Sequence, residues 1–379
     1  MSKQSSILNI YLEEVTEDPT NTTIMNWVKK LGLYQLEKAK EKADDWIIIL
    51  DHSIQLGQDK LFVVLGIRES TIDFSRPLQY QDLTPLLITS KVKWTGEIIK
   101  IILLELESKL GKIKYAVGDY GSDIKKGLEL SGILHMHDVT HRIGLIVEKL
   151  YGTDVLFADV TARMSEMRIK LAQTASAPII PPAQRKKSRY LNIATISNWA
   201  TRALRLAQNE SLDKNDQPIT DSILWLKEYE PLISEMGGIN KVILSISKIL
   251  KHKGFSKETI AKCNKEMDSL SSAKGELFKL KINEYFEAMQ KLMPNTVSIL
   301  CSSDIIESTF GKYKNYVSSN PMACMTDLCL CIAAFTSNLD KEEIKQALES
   351  VLIKDIKKWT TDNIGESLLK KRIRLLSAA

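Results

Sequence analysis

The stretch Trp46–Ile67, "WIIILDHSIQLGQDKLFVVLGI", decides how the rest of the chain is read. Ile47–Leu50 is a β-branched apolar run, too short for a helix and long enough for a buried strand. It stops at Asp51, which puts a carboxylate at the edge of a core. Ser53, Gly57 and Asp59 supply turn chemistry, and a second apolar run follows from Lys60 to Arg68. From this segment alone, Asp51 is either a turn residue or a side chain that the strand delivers to a site.

Downstream, a third extended segment lies within Pro85–Val92. The stretch Thr95–Gly111 has a Thr cap and apolar residues at Ile98, Ile101, Ile102, Leu106 and Leu110, the pattern of an amphipathic helix. The short strand "IKYAVGD" again ends in an aspartate, Asp119. A helix at Ser122–Leu130, an extended "ILHMHDV" and a helix from about Thr140 to Leu150 complete the series. The order β-β-β-α-β-α-β-α is that of a ribonuclease-H-like mixed α/β sheet: an antiparallel meander extended by parallel strands through crossover helices. In such a sheet the carboxyl ends of the strands form the site. The first and fourth strands are neighbours, so Asp51 and Asp119 are expected to meet at one edge.

Composition narrows the classes. At 379 residues, 44% apolar and 26% charged, the chain is globular and long enough for two or three structural units. A net charge of +5 permits a polyanionic partner. There is no apolar run of about 18 residues, so no membrane span is expected, and the acidic N-terminus lacks the features of a secretory signal. The five cysteines are an odd number at low density, which points to a reducing compartment, the cytoplasm. The cluster "ACMTDLCLCIAAF" has no histidine beside it and reads as buried thiols on a core helix.

Near the start, Thr20, Asn21 or Thr22 caps a helix with Ile24, Trp27, Val28 and Leu31 at helical spacing, Lys29 and Lys30 exposed, and Gly32 as its stop. From Val160 to Met293 helical patterns dominate, interrupted by the basic loop "QRKKSRY" with Arg185, Lys186, Lys187 and Arg189. That loop could track a phosphate backbone or simply be solvated. A third carboxylate follows the helical region. In "SSDIIESTFGKYKNYV" a serine pair precedes a helix whose apolar stripe is Ile305, Ile306, Phe310 and Tyr313, while Glu307 and Lys314 share another face about 10 Å apart.

Asp51, Asp119, a helical insertion and then Glu307 with Lys314 seven residues on resemble the Asp-Asp-Glu transposases of bacterial insertion sequences. The long second interval is similar to relatives with an insertion domain before the glutamate. Those relatives carry a Tyr, Arg, Glu, Lys signature, and Leu300 and Ser303 stand here where Tyr and Arg would fall. Asp138 and His141, in "HMHDVTHRI", resemble the Asp-x-x-His element of Mutator-like and related transposases.

The resemblance implies residues 1–44 as the helical remnant of a helix-turn-helix DNA-binding region, 45–151 and 294–340 as the catalytic domain, 152–293 as the all-helical insertion and 341–379 as C-terminal helices. It implies strand cleavage and transfer at mobile-element ends, with DNA ends and target as partners, a homodimer or higher oligomer on DNA, and a cytoplasmic, nucleoid-associated location. Two Mg²⁺ or Mn²⁺ would serve, Asp51 bridging both, Asp119 holding one and Glu307 the other. Lys314, and less so Lys312, would contact DNA phosphate, and Asp138 and His141 would support the site. Asp123 rivals Asp119 for the second place, and Asp304 rivals Glu307 for the third. A nuclease of the same fold, or a transposase-derived DNA-binding protein or truncated copy without catalysis, are the alternative functions.

Overall fold

A computed structural model describes residues 19–56, 59–174, 176–183, 192–208, 217–292, 298–317, 325–336, 339–366 and 368–377. The chain divides into two units, Met1–Asp138 with Cys301–Ala379, and Val139–Leu300. The first begins with helix α1 (Asn21–Glu37), capped by the Thr20 hydroxyl, which accepts from the Thr23 amide. Five strands follow around the apolar run. β1 (Trp46–Leu56) pairs antiparallel with β2 (Asp59–Arg68), and β2 antiparallel with β3 (Thr84–Lys91). On its other side β1 pairs parallel with β4 (Ile113–Gly118), and β4 parallel with β5 (His135–His137). The sheet order β3-β2-β1-β4-β5, with crossover helices α2 (Gly96–Leu110) and α3 (Ser122–Ser131), is a ribonuclease-H-like mixed sheet.

Ile47 through Leu50 are fully buried, because β1 is central and covered on both faces. On one face Ile48 and Leu50 join Phe62, Val64, the α2 residues Ile99, Leu103, Leu106 and Leu110, and Ile124 and Leu128 of α3. The buried stripe of α2 is thus rotated from the expected one, and Ile101 is 57% exposed. The run "EIIKIILLEL" is apolar on most sides of the helix, so packing against the sheet sets the phase, which periodicity leaves open.

The second unit is helical: α4 (Val139–Tyr151), α5 (Val155–Leu171), α6 (Ile193–Ala207), α7 (Gln217–Ile223), α8 (Glu230–Lys253), α9 (Lys257–Met267) and α10 (Ala273–Leu292). Among the described residues its only strand-like pairing is the bridge Phe255–Ile299. In sequence it falls between β5 and the later helices of the first unit, as a helical insertion. The division falls at Asp138/Val139 and Leu300/Cys301, so α4 belongs with the insertion rather than with the sheet. The ammonium of Lys274 joins Asp154 (2.9 Å) and Glu235 (3.2 Å) and lies 4.8 Å over the Tyr151 ring, tying three of these helices together.

The chain returns to the first unit with α11 (Asp304–Val317), α12 (Leu330–Phe335), α13 (Lys341–Ser350), α14 (Ile353–Asn363) and α15 (Leu368–Ser377). α1 packs on α12, α13, α14 and β3, burying Val28, Leu31 and Leu33. Lys29 bonds Asp327 (3.0 Å) and Lys30 donates to the Leu348 carbonyl (2.7 Å), so both lysines anchor the helix instead of standing free in solvent. Nor does Gly32 end α1. A Cβ there would lie 2.1 Å from the Leu330 carbonyl oxygen, so this glycine marks where α12 crosses closely. Cys301, Cys329 and Cys331 are buried thiols, and burial pushes Cys331 up to about 12. Among the described residues no helix is long and apolar enough to cross a membrane.

Past α1, the Lys40 ammonium donates to the carbonyls of Gln35, Leu36 and Lys38, closing the helix end. Burial, and Lys38 nearby, bring Lys40 down to about 8.

Gly32→Ala should destabilise the protein by about 1–3 kcal/mol by urea denaturation, the overlap outweighing helix propensity. Gly311→Ala on α11, where a Cβ meets nothing within 4 Å, should be neutral or stabilising by up to about 1 kcal/mol. Equal effects at the two positions would contradict the packing of α1. Because Lys40 gives up its proton at a lower pH when folded than when unfolded, its contribution to stability rises from about pH 8 towards 10.5. Wild type should therefore gain stability relative to Lys40→Met over that window, and parallel pH profiles would count against it.

Candidate active site

β1 does not end at Asp51. Its pairing with β2 continues to Leu56, with a register shift between Asp51 and Ile54, while its pairing with β4 stops at Ile49. Asp51 therefore lies just past the last pair of the central strand with its parallel neighbour, where the strand goes on as a ribbon with β2, which is itself still paired with β3. The sequence hides this because the ribbon is built of polar and turn-like residues. Asp51 is 2% exposed.

Ile49 pairs with Val117, and Asp51 and Asp119 each follow two residues later. β4 ends at Gly118, and the Asp119 carboxylate turns to accept from the Gly121 amide (2.9 Å), opening the turn into α3. A Cβ on Gly121 would lie 2.9 Å from Asp119 Oδ1 and 3.0 Å from Asp123 Oδ1. Those two oxygens flank the glycine and are within about 6 Å of each other. Asp123 Oδ2 is 2.8 Å from His52 Nε2. Side chains alternate along β1, so His52 points to the α3 face and Asp51 to the opposite one. His52 Nε2 thus lies beside Asp123 Oδ2 on that face.

α11 packs on β1 and buries Ile306, Phe310 and Tyr313. Glu307 is half-buried, and Lys314, exposed, lies two turns further along nearly the same helix face. The Lys312 ammonium sits 3.9 Å over the Tyr80 ring, and the Tyr80 and Ser308 hydroxyls are hydrogen-bonded, so this flank of α11 is fastened to the β2–β3 connection. Asp304 is the first residue of the helix, and its amide donates to the Ser302 hydroxyl (3.3 Å). Asp138, fully buried just past β5, accepts from both the amide and the hydroxyl of Ser303, the latter at 2.8 Å. His141 lies in the first turn of α4. Arg185, Lys186, Lys187 and Arg189 lie outside the described residues.

Sequence reasoning missed a row of rings beside Asp119. Tyr120 stacks on His137 (4.2 Å, 5° between planes), and His137 lies 4.1 Å from His135. Burial lowers the pKa of His135. The signal was available: the alternating "HMH" of β5 pairs with Ala116 and Gly118, whose small size leaves room for imidazoles on that face.

Among the described residues no three of His, Cys, Asp and Glu stand together as a group that would hold a metal ion unaided. The donors at the parting of β1 and β4 are carboxylate oxygens, which suit a hard cation. Mg²⁺ commonly takes one or two protein carboxylates, keeps several waters and completes its shell on substrate phosphate. Asp51 and Asp119 fit that demand.

No family model matches the sequence, and no curated protein matches it. Among solved structures, the chain is similar to one in the Drosophila P element transposase strand transfer complex, with 12% identity and a TM-score of 0.41, over 88% of this chain and 91% of that one.

A methyl group at position 121 would press on both flanking carboxylates. Gly121→Ala should leave the thermal midpoint within a few degrees, because Ile124 and Leu128 still hold α3 to the core. It should weaken Mn²⁺ binding, read by titration calorimetry, by about tenfold or more. Unchanged Mn²⁺ affinity would remove Asp119 and Asp123 from consideration as ligands.

Proposed function

We propose that this chain is a metal-dependent polynucleotidyl transferase that cuts and joins DNA at the ends of a mobile element, as the Asp-Asp-Glu transposases of bacterial insertion sequences do. The observation that supports this most is Asp51. A carboxylate 2% exposed in the central strand is costly to bury, and it stands two residues past that strand's last pairing with β4, the strand that leads to Asp119.

Asp51 and Asp119 would hold divalent ions, with Glu307 supplied from α11. Bound Mg²⁺ or Mn²⁺ would activate the attacking oxygen and stabilise the leaving one. The protein's own share is to fix these carboxylates on a rigid strand pair and on a helix packed against it. Lys314, exposed beyond Glu307 on α11, would meet a phosphate as a point charge. Lys312 can add to it only by leaving the Tyr80 ring. The net charge of +5 suits a DNA partner, and assembly as a dimer or larger on two DNA ends goes with the same reading.

Asp51→Asn should fold like wild type and lower Mg²⁺- or Mn²⁺-dependent cleavage of DNA carrying the element's terminal sequences by about a thousandfold or more. DNA binding should persist and weaken with salt. Cleavage that survives chelator, or the Asn substitution, would refute the proposal. Cleavage without joining would assign the protein to structure-specific nucleases.

A further inference from the structure

The chain leaves the first unit at Asp138 and re-enters it at Cys301. The two crossings are joined by hydrogen bonds. The Asp138 amide donates to the Gly118 carbonyl (3.0 Å), one residue before Asp119. The Asp138 carboxylate accepts from the Ser303 amide and from its hydroxyl at 2.8 Å. The Ser303 carbonyl in turn accepts from the amides of Ile306 (2.9 Å) and Glu307 (3.4 Å). A continuous run of bonds therefore leads from the strand that presents Asp119 to the backbone of Glu307.

We infer that Asp138 is a positioning residue: through Ser303 it fixes the first turn of α11, and so the place of Glu307, against the end of β4. This rests on the proposed role of Glu307. Asp138 is fully buried and Ser303 is 2% exposed, so water does not compete for the contact. A carboxylate that takes two donors at one helix start is a charge-assisted pair, stronger and more directional than a neutral cap, and its charge favours the N-terminal end of the helix. Of the other fastenings of α11, Ile306 is buried in the first turn itself, while Phe310 and Tyr313 in the core and Ser308 and Lys312 at Tyr80 lie further along. Those resist separation of the helix from the sheet. The Asp138 bonds are directional, and they add resistance to an unwinding of the first turn or a shift by a fraction of a residue, the movement that would displace Glu307.

The test uses Asp138→Asn and Ser303→Ala, with two readouts. Amide hydrogen exchange at Ile306 and Glu307 should quicken at least about tenfold in Asp138→Asn, while exchange in β1 and β4 stays unchanged. This arm needs no activity. If it fails, the clasp does not hold the turn and the inference is overturned, whatever the protein catalyses. If it succeeds but wild type cleaves no DNA, the transposase proposal alone falls. In the kinetic arm, each variant should lower kcat for cleavage about tenfold or more, leave KM for DNA near wild type and raise the Mn²⁺ concentration for half-maximal rate. Asp138→Asn placed in a Glu307→Gln background should add little further loss, since the clasp acts through Glu307. Additive losses, or a thermal midpoint that falls in step with kcat, would mean a purely structural role and overturn the inference.

Discussion

The structure depends on one strand being buried from both sides. β1 has α2 and α3 against one face and α11 against the other, and its backbone is paired with β2 and β4 at once. A strand so enclosed admits only apolar side chains until one neighbour falls away. β4 falls away just beyond Ile49. The first position with room for a carboxylate is therefore dictated by where two strands stop pairing, and Asp51 occupies it. Asp119 belongs to the same event seen from the other strand.

Burying these carboxylates has to be offset. Asp138 has two donors from Ser303, and Asp119 has the Gly121 amide. Of Asp51, Asp119 and Glu307, Asp51 is the least exposed, and it stands on the central strand. The other polar groups divide by face: His52 and Asp123 on the α3 side, and Glu307 and Lys314 on the helix packed against β1 from the other. Alternation along a single strand separates the two sets.

The parts of this arrangement that were readable from sequence are those written in local pattern. The isoleucine run, the apolar stripe of α11 and the end of β4 just before Asp119 all follow from periodicity and from burial on both faces. What was not readable depends on long-range contact. Gly32 looks like a helix stop until α12 is seen crossing it. Lys29 and Lys30 look solvated until Asp327 and the Leu348 carbonyl are placed beside them. The phase of α2 could not be chosen because its sequence is apolar on too many sides. Asp138 and Ser303 are separated by the whole helical unit, and no spacing rule connects them. The polar ribbon after Asp51 reads as a turn because edge hairpins and loops draw on the same residues.

The clasp between Asp138 and Ser303 also bears on how such a chain can diversify. Once exit and re-entry are pinned by the sheet domain itself, the entropy of closing the intervening segment grows only slowly with its length. The helical unit then behaves as a cassette. Its size and surface can drift, or be exchanged for a short turn, with little strain passed to the carboxylates, because the point where strain would enter is already held by a buried charge. Modularity of this kind comes from three hydrogen bonds at the junction, and it allows one sheet frame to be fitted with many different attachments.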